Sequence, residues 1–363
     1  MRKRADGLWE ARYTDPLTDK ICSVYAKTQG GALAKRKGAL ASAEGRSPES
    51  YEGFSDFLRR WLEGPVRISV KPLTYHRYET VVRLHLVPTL GDVPLEDLTR
   101  AHFQRLYGEK LGAGFSPRLV NLVHVVARSA LKTAVSWGLL PKNPTDGAVP
   151  PKATGRAINP LTREEVGKVL KVLDGYRMGT LFEVAVFSGL RAGELVGLKW
   201  PDVDWESRTL RISRQLIRLP ADGGREYAFA EPKRAGSKRA VKVPPRVVDA
   251  LLRRREEEIA EGNRDAECVF LREDGSYIDA SMLSRDYLRP LLRRAGVDPI
   301  GHTFHDLRHT FASLLLLGGT HAKVVQEMLG HASIVITLNT YSHLLPGLQE
   351  GAADSLGGLF DGS

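Results

Sequence analysis

The side chains best suited to chemistry lie between residues 302 and 343, a segment with histidines, an arginine and a tyrosine. Thr303 and Asp306 have the spacing of a capping box, which predicts a helix that runs to the glycine pair at residues 318 and 319. His305 and Arg308 are three residues apart at its start. This spacing predicts that an imidazole and a guanidinium project from one helix face.

Two more helices should follow. Residues 320–329 fit a helix that stops at Gly330, which places His331 on the turn just after it. Ser333 can cap a third helix that carries Tyr341. Three helices joined by tight glycine turns would bring two imidazoles, a guanidinium and a phenol together.

A second guanidinium comes from an earlier part of the chain. A predicted helix over residues 178–187 ends at Gly189, so Arg191 lies just beyond it, and Glu194 is one turn further on, where it can hold the arginine. Two arginines suit a phosphodiester, because each planar fork can bind both non-bridging oxygens and stays charged at any relevant pH.

Together these fragments resemble the tyrosine recombinases, specifically the phage integrases. The matching fragments are Gly189-Leu190-Arg191 with Glu194-Leu195, His305-x-x-Arg308-His309, Leu329-Gly330-His331, and Tyr341 ten residues later. Each fragment alone is a weak signal, but their order and spacing are specific. The resemblance covers essentially residues 50–345.

The resemblance implies a role for each side chain. Arg191 and Arg308 would clamp the scissile phosphate, His305 and His331 would assist proton transfer and phosphate binding, and Tyr341 would attack the phosphorus. The product would be a 3′-phosphotyrosyl link and a free 5′-hydroxyl. Because the bond energy is retained, strand exchange would need no ATP.

The family also has a lysine on a β-hairpin, which would be the acid for the leaving oxygen. Lys233, which follows Glu231 and Pro232 and precedes a predicted strand at residues 240–243, matches this lysine. Lys238 is the competing candidate, and Lys233 is the favoured one.

We expect no cofactor. A phenol with a pKa of about 10 is a poor nucleophile at neutral pH, and the two arginines with Lys233 would supply the positive surroundings it needs. The sequence has no Walker-type phosphate loop and no carboxylate cluster suited to two magnesium ions. His305 and His309 also have a zinc spacing, but no third ligand is evident, so His309 and His343 are expected to hydrogen-bond around the site.

The predicted fold is multidomain and mainly α. Residues 161–345 would form a mixed α+β catalytic domain whose small antiparallel sheet uses strands at residues 209–213, 227–230, 240–243 and 268–271, followed by a tail over residues 346–363. Residues 146–160 are rich in proline, glycine and alanine and are typical of a linker. Four apolar stripes at helical spacing predict a helical bundle over residues 50–145, which would be the family's core-binding domain.

Residues 1–46 are expected to form a small β-ribbon unit with one helix. Strands at residues 8–13 and 21–27 and an alanine-rich helix at residues 32–43 resemble the arm-binding domain of larger integrases, although a third strand is not evident. A generic β-hairpin appendage is the alternative.

The distribution of charge favours a polyanionic partner for the front of the chain. Of 363 residues, 53 are Lys or Arg and 43 are Asp or Glu. Residues 1–46 hold 10 basic and 5 acidic side chains, residues 47–157 hold 15 and 10, and the remainder holds 28 of each. Two cysteines exclude a disulfide scaffold, and no apolar run suits a signal peptide or a membrane span. We therefore expect a cytoplasmic, nucleoid-associated protein of a bacterial host cell.

The function expected from these features is site-specific recombination by a phage or mobile-element integrase. Residues 50–145 and 160–345 would close as a clamp on double-stranded DNA at core-type sites, and residues 1–46 would bind arm-type sites. The resemblance implies a homotetramer, with an excisionase and a host DNA-bending protein as candidate partners. The alternatives are a chromosome-dimer-resolving recombinase, a type IB topoisomerase and a non-catalytic DNA-binding regulator.

Overall fold

The computed structural model describes residues 1–3, 7–14, 20–44, 52–153, 155–156, 158–221, 224–231, 238–262 and 266–341. The chain divides into two compact units, Met1–Gly155 and Arg156–Ser363, and the division falls inside the predicted linker. Both units are mainly helical with small antiparallel sheets, as the sequence predicted. Lys233, His343 and the predicted tail over residues 346–363 lie outside the described residues.

The first unit begins with a three-stranded antiparallel sheet and a helix. Strands β1 (Arg2–Lys3), β2 (Trp9–Thr14) and β3 (Ile21–Ala26) pair in that order, and helix α1 (Gln29–Glu44) packs against β2 and β3. Glu10 is buried, and its carboxylate accepts hydrogen bonds from Arg2, Arg12 and Ser23, which ties the three strands together. The sequence did not reveal β1, because it contains only two residues, both polar.

The rest of this unit is a bundle of four long helical stretches. The first two are interrupted by wider, π-type turns, and the last two are regular. Their segments are α2 (Phe54–Trp61), a π-turn (Leu62–Val66), α3 (Arg67–Ser69), α4 (Pro72–Val81), a π-turn (Val82–Leu86), α5 (Val87–Leu90), a 3₁₀ turn (Leu95–Asp97), α6 (Arg100–Gly112) and α7 (Pro117–Ser136). The predicted apolar stripes form the bundle core, in which Phe54, Trp61 and Phe103 are almost fully buried.

The second unit surrounds a buried central helix with other helices and two small sheets. Helix α9 (Gly179–Ser188) is mostly apolar and buried, although it includes the buried Glu183, and it packs against α11 (Pro245–Ala260) and α13 (Phe304–Leu317). The helices are α8 (Arg163–Lys171), α9 (Gly179–Ser188), α10 (Ala192–Val196), α11 (Pro245–Ala260), a π-turn (Leu283–Leu288), α12 (Arg289–Arg294), α13 (Phe304–Leu317), α14 (Ala322–Leu329) and α15 (Ile334–Tyr341).

The two sheets of this unit differ in part from the predicted one. Strands β4 (Val203–Asp204), β5 (Thr209–Ile212) and β8 (Arg239–Lys242) form one sheet, and β6 (Gln215–Ala221) with β7 (Gly224–Ala230) forms a separate hairpin. The predicted strand at residues 268–271 was wrong. Only its two end residues make isolated bridges, to Lys199 and Tyr277, so this apolar segment is buried without a continuous partner strand.

Within the described part of the chain, no helix combines the length and the apolar character needed to cross a membrane.

Candidate active site

A left-handed glycine ends the central helix and sets the direction of the chain into the site. Gly189 has φ of +62°, and a Cβ built on it would lie 2.4 Å from the Phe311 ring. Only glycine fits both the backbone conformation and this close approach. The chain then enters α10 with Arg191 at its N-cap position.

Arg191 is held by a carboxylate one turn further on. Its Nη1 donates to Glu194 Oε1 at 2.7 Å, its backbone N–H donates to Glu194 Oε2 at 2.9 Å, and Nη2 lies 3.4 Å from the Gly330 carbonyl oxygen. The Arg191 side chain is still 36% exposed. It can therefore contact a ligand while the carboxylate fixes its direction, which is the partnership expected from the sequence.

Glu194 has a second arginine partner that sequence reasoning missed. Arg239, at the start of β8, donates from Nη1 and Nη2 to both carboxylate oxygens, at 3.0 and 2.8 Å. Burial alone would raise the pKa of Glu194, but the hydrogen bonds and charge of Arg239, together with those of Arg191, outweigh it and lower the pKa to about 2. Arg239 lies in a run of basic residues, and the chain around it gives no local sign that its side chain is buried.

Arg308 is the most deeply buried of the predicted site arginines. The residue is 3% exposed, and its Nη1 and Nη2 donate to the carbonyl oxygens of Gly189 and Leu329, at 2.7 and 2.5 Å. Burial, reinforced by the charges of Arg191 and Arg239, lowers the pKa of Arg308 to about 9. The guanidinium is therefore still charged at neutral pH, and its orientation is fixed by two backbone carbonyls.

The capping box predicted at the start of α13 is present. Thr303 donates from both its backbone N–H and its hydroxyl to Asp306 Oδ2, at 2.6 and 2.8 Å, and Arg156 pairs with the same oxygen at 2.6 Å. Hydrogen bonds from Thr303 and Arg156 outweigh the effect of burial, so the pKa of Asp306 is lowered. The first turn of α13, which carries His305 and Arg308, is thus anchored.

The two predicted site histidines both lie near the Arg308 charge. His305 is on the exposed side of α13, with its ring edge-on to that of His309 at a centroid distance of 5.0 Å. His331 follows Gly330, and its Nδ1 lies 2.9 Å from Thr337 Oγ1. Desolvation of each ring, and then the nearby Arg308 charge, lower both pKa values, that of His331 to about 4. His331 is therefore neutral at neutral pH.

The phenol of Tyr341 is buried and hydrogen-bonded to a histidine. Tyr341 is 2% exposed, and its Oη lies 2.6 Å from His309 Nδ1. Burial raises the pKa of Tyr341 to about 12, although Arg308 acts in the opposite direction, and burial lowers the pKa of His309 to about 4. The positive surroundings expected from the sequence are present, but they do not lower this pKa below its ordinary value.

The structure describes one of the two candidate hairpin lysines. Lys233 lies outside the described residues, whereas Lys238 is exposed and pairs with Glu231 Oε1 at 2.9 Å. Among the described residues, no three histidine, cysteine or acidic side chains are grouped as metal ligands would be.

Comparisons with known proteins identify the family of this chain. The model of the phage integrase family matches residues 159–347, and the model of the phage integrase N-terminal SAM-like domain matches residues 53–111. A protein named tyrosine recombinase XerC-like, from Caldanaerobacter subterraneus subsp. tengcongensis, is 33% identical over 93% of this chain and 91% of its own length. The chain belongs to the phage integrase family.

Other phage integrase relatives match over most of their length. An integrase of Saccharopolyspora erythraea is 27% identical, over 85% of this chain and 82% of its own. Membership of the family confirms the enzyme class predicted from the sequence, a tyrosine-type site-specific DNA recombinase.

Two solved integrase structures share the fold. The Tn1549 transposon integrase in complex with circular intermediate DNA aligns with a TM-score of 0.69 at 22% identity, over 84% of this chain and 99% of that one. A lambda integrase dimer bound to a COC' core site aligns with a TM-score of 0.62 at 19% identity, over 93% of each chain.

Proposed function

We propose that this phage integrase family member integrates and excises DNA at attachment sites, through a 3′-phosphotyrosyl intermediate on Tyr341. The observation that carries the proposal is the convergence of side chains at the junction of α14 and α15. Arg191 and Arg308 donate to the backbone of this junction, His331 lies on it, and Tyr341 ends the helix that follows. The arrangement brings positive charge, proton carriers and a nucleophile together.

The arginines are suited to hold the scissile phosphate. Arg191 and Arg239 bond to Glu194, and Arg308 lies close enough to feel its charge, so three guanidinium groups and one carboxylate leave an excess of two positive charges. Arg308 has five N–H donors, of which the structure shows two on backbone carbonyls, and the others can reach a phosphate. This preorganised charge would stabilise the five-coordinate phosphorane without reorganisation.

The cleavage step balances with the groups present. Tyr341 Oη forms a bond to phosphorus, the bond from phosphorus to the 5′ oxygen breaks, and the phenolic proton passes to the neutral His309 Nδ1 at 2.6 Å. The leaving 5′ oxygen takes a proton from the hairpin lysine, for which Lys233 is favoured over Lys238. His305 and His331 assist phosphate binding and proton transfer, and His331 would use Nε2, because Thr337 engages Nδ1.

The other parts of the chain fit an integrase that binds two kinds of DNA site. We assign residues 161–345 to catalysis, residues 50–145 to core-type sites and residues 1–46 to arm-type sites. A lambda integrase tetramer bound to a Holliday junction aligns with this chain at a TM-score of 0.59 and 19% identity, over 92% of this chain and 95% of that one, and we propose a homotetramer here too. The sheet with α1 ahead of the bundle favours an integrase over a chromosome-dimer-resolving recombinase, which usually lacks such a domain.

A suicide substrate tests the proposal. DNA nicked close to the cleavage point loses the short strand that would reverse the reaction, so the parent protein should accumulate a denaturation-resistant adduct. Tyr341→Phe should bind the same DNA equally well and yield no adduct, because only the phenolic oxygen can make the ester. Adduct of equal yield with phenylalanine at position 341 would remove Tyr341 from the nucleophile role.

A further inference from the structure

Three arginines from different elements converge on three consecutive carbonyls at the end of α14. Arg239 Nε donates to the Met328 carbonyl at 2.7 Å, Arg308 Nη2 to that of Leu329 at 2.5 Å, and Arg191 Nη2 lies 3.4 Å from that of Gly330. The last carbonyls of a helix have no intrahelical partner, and cations are favoured near them. The arginines therefore fix the turn from which His331 projects.

Among the described contacts, Arg239 is bonded to the protein through all three guanidinium nitrogens, whereas Arg191 and Arg308 each use two. The Arg239 side chain is 6% exposed, compared with 36% for Arg191. It also packs closely against the turn, since a Cβ added to Gly330 would lie 3.0 Å from Arg239 Cδ. Its contacts with both oxygens of Glu194 and with the Met328 carbonyl use all three guanidinium nitrogens.

We propose that Arg239 is a positioning residue for strand cleavage, which acts by limiting how Glu194 contacts Arg191 and by holding the turn that carries His331. This inference rests on the proposed function. Arg239 engages both oxygens of the Glu194 carboxylate, so the Arg191 guanidinium contacts it through Nη1 alone and keeps other N–H groups for phosphate. Without Arg239, the carboxylate is able to take a bidentate grip on Arg191 and withdraw it from the phosphate.

The first experiment measures the rate of adduct formation on the suicide substrate at saturating DNA, together with the Kd for core-site DNA. Arg239→Ala should slow the adduct step by about 10- to 100-fold, the cost of a small misplacement, and leave Kd within about threefold. The matched control is Arg254→Ala on α11. The Arg254 side chain is similarly buried, at 4% exposed, and pairs with Glu257 and Glu258, outside the site. It should keep the parent rate at a temperature where it is folded.

A double-mutant cycle separates positioning from general support of the fold. If Arg239 acts through Arg191, adding Arg239→Ala to the Arg191→Ala variant should slow adduct formation by less than about threefold, because the group that Arg239 positions is gone. The inference would be overturned if Arg239→Ala slowed adduct formation by the same factor in the parent protein and in the Arg191→Ala variant. It would also be overturned if Arg239→Ala alone left the rate unchanged. Should Arg239→Ala not fold, Arg239→Lys serves in the same cycle, since one ammonium cannot replace three donors in a planar fork.

The outcomes also distinguish this inference from the function on which it rests. A parent protein that forms no adduct would refute the proposed function and the inference together. If the parent forms the adduct and the effects of Arg239→Ala and Arg191→Ala on its rate are independent, the proposed function stands and only the role of Arg239 is refuted.

Discussion

Replacing Glu194 with glutamine should destabilise the second unit, because it removes the charge that compensates two arginines. Glu194 is 3% exposed, and its pKa is lowered to about 2 because bonds to Arg239 and Arg191 outweigh the opposing effect of burial. A carboxylate whose pKa is depressed by folding stabilises the native state above its unfolded pKa. That stabilisation is lost as the pH falls through the folded value.

The size of the effect follows from the same shift. The gap between about 2 and the ordinary glutamate value corresponds to about 3 kcal/mol at neutral pH. Removing one partner of a buried ion pair costs a similar amount, about 3–5 kcal/mol. In a unit of this size, about 3 kcal/mol should lower the Tm by about 6–12 °C. By linkage, about half of the stabilisation should be gone near pH 3, and all of it below about pH 2.

Urea denaturation of parent and Glu194→Gln across a pH series measures this difference. Glu183→Gln is the matched control, since Glu183 is also buried but its partners, Arg246 and Arg253, are 46% and 56% exposed. The control should cost about 1 kcal/mol or less, as expected where solvent screens the charges. Equal losses in the two variants, or a gap between parent and Glu194→Gln that stays constant from about pH 6 to about pH 3, would refute the reasoning.

The remaining predictions concern the acid, the phenol and the N-terminal domain. Lys233→Ala should slow cleavage far more than Lys238→Ala. A 5′-thio leaving group, which needs little protonation, should restore the cleavage rate of Lys233→Ala. Failure of this rescue would show that Lys233 only contacts the phosphate. Between about pH 6 and pH 8 the rate of adduct formation should be flat, because Tyr341 stays protonated and His331 stays neutral, whereas a tenfold rise per pH unit would show a titrating phenolate. Deleting residues 1–46 should abolish footprints on arm-type sites, whose binding is steeply salt-dependent, and leave cleavage of core-site substrates intact; identical footprints with undiminished recombination would contradict an arm-binding role.

The features that the sequence predicted well are those set by neighbours along the chain. The capping box of Thr303 and Asp306 and the helix ends at Gly189 and Gly330 depend on contacts within a few residues, and all of them are present in the structure. These local signals place Arg308, His331 and Tyr341 on the correct elements. They do not determine how deeply each side chain is buried.

The features that the sequence did not reveal depend on partners distant in the chain. Arg239 lies among basic residues that are typical of a solvated surface, yet it is buried by pairing with Glu194, 45 residues earlier. The segment at residues 268–271 has the apolar composition of a strand, but a strand requires a continuous neighbour, and here only isolated bridges form. In both cases, contacts with distant parts of the chain determine the structure, and the local sequence pattern does not.

Burial favours stabilisation of the phosphate by the arginines but opposes deprotonation of Tyr341. It strengthens the field of Arg308 at a phosphate, because few solvent dipoles remain to screen it. The same burial raises the pKa of Tyr341 to about 12, so a phenolate is not formed in advance at neutral pH. Since burial also keeps His309 neutral and able to accept the phenolic hydrogen bond at 2.6 Å, proton loss and attack on phosphorus are best coupled in one step. A phenol that stays protonated until a phosphate is bound would not react with other groups beforehand. The arginines would then stabilise the negative charge that develops on the bound phosphate.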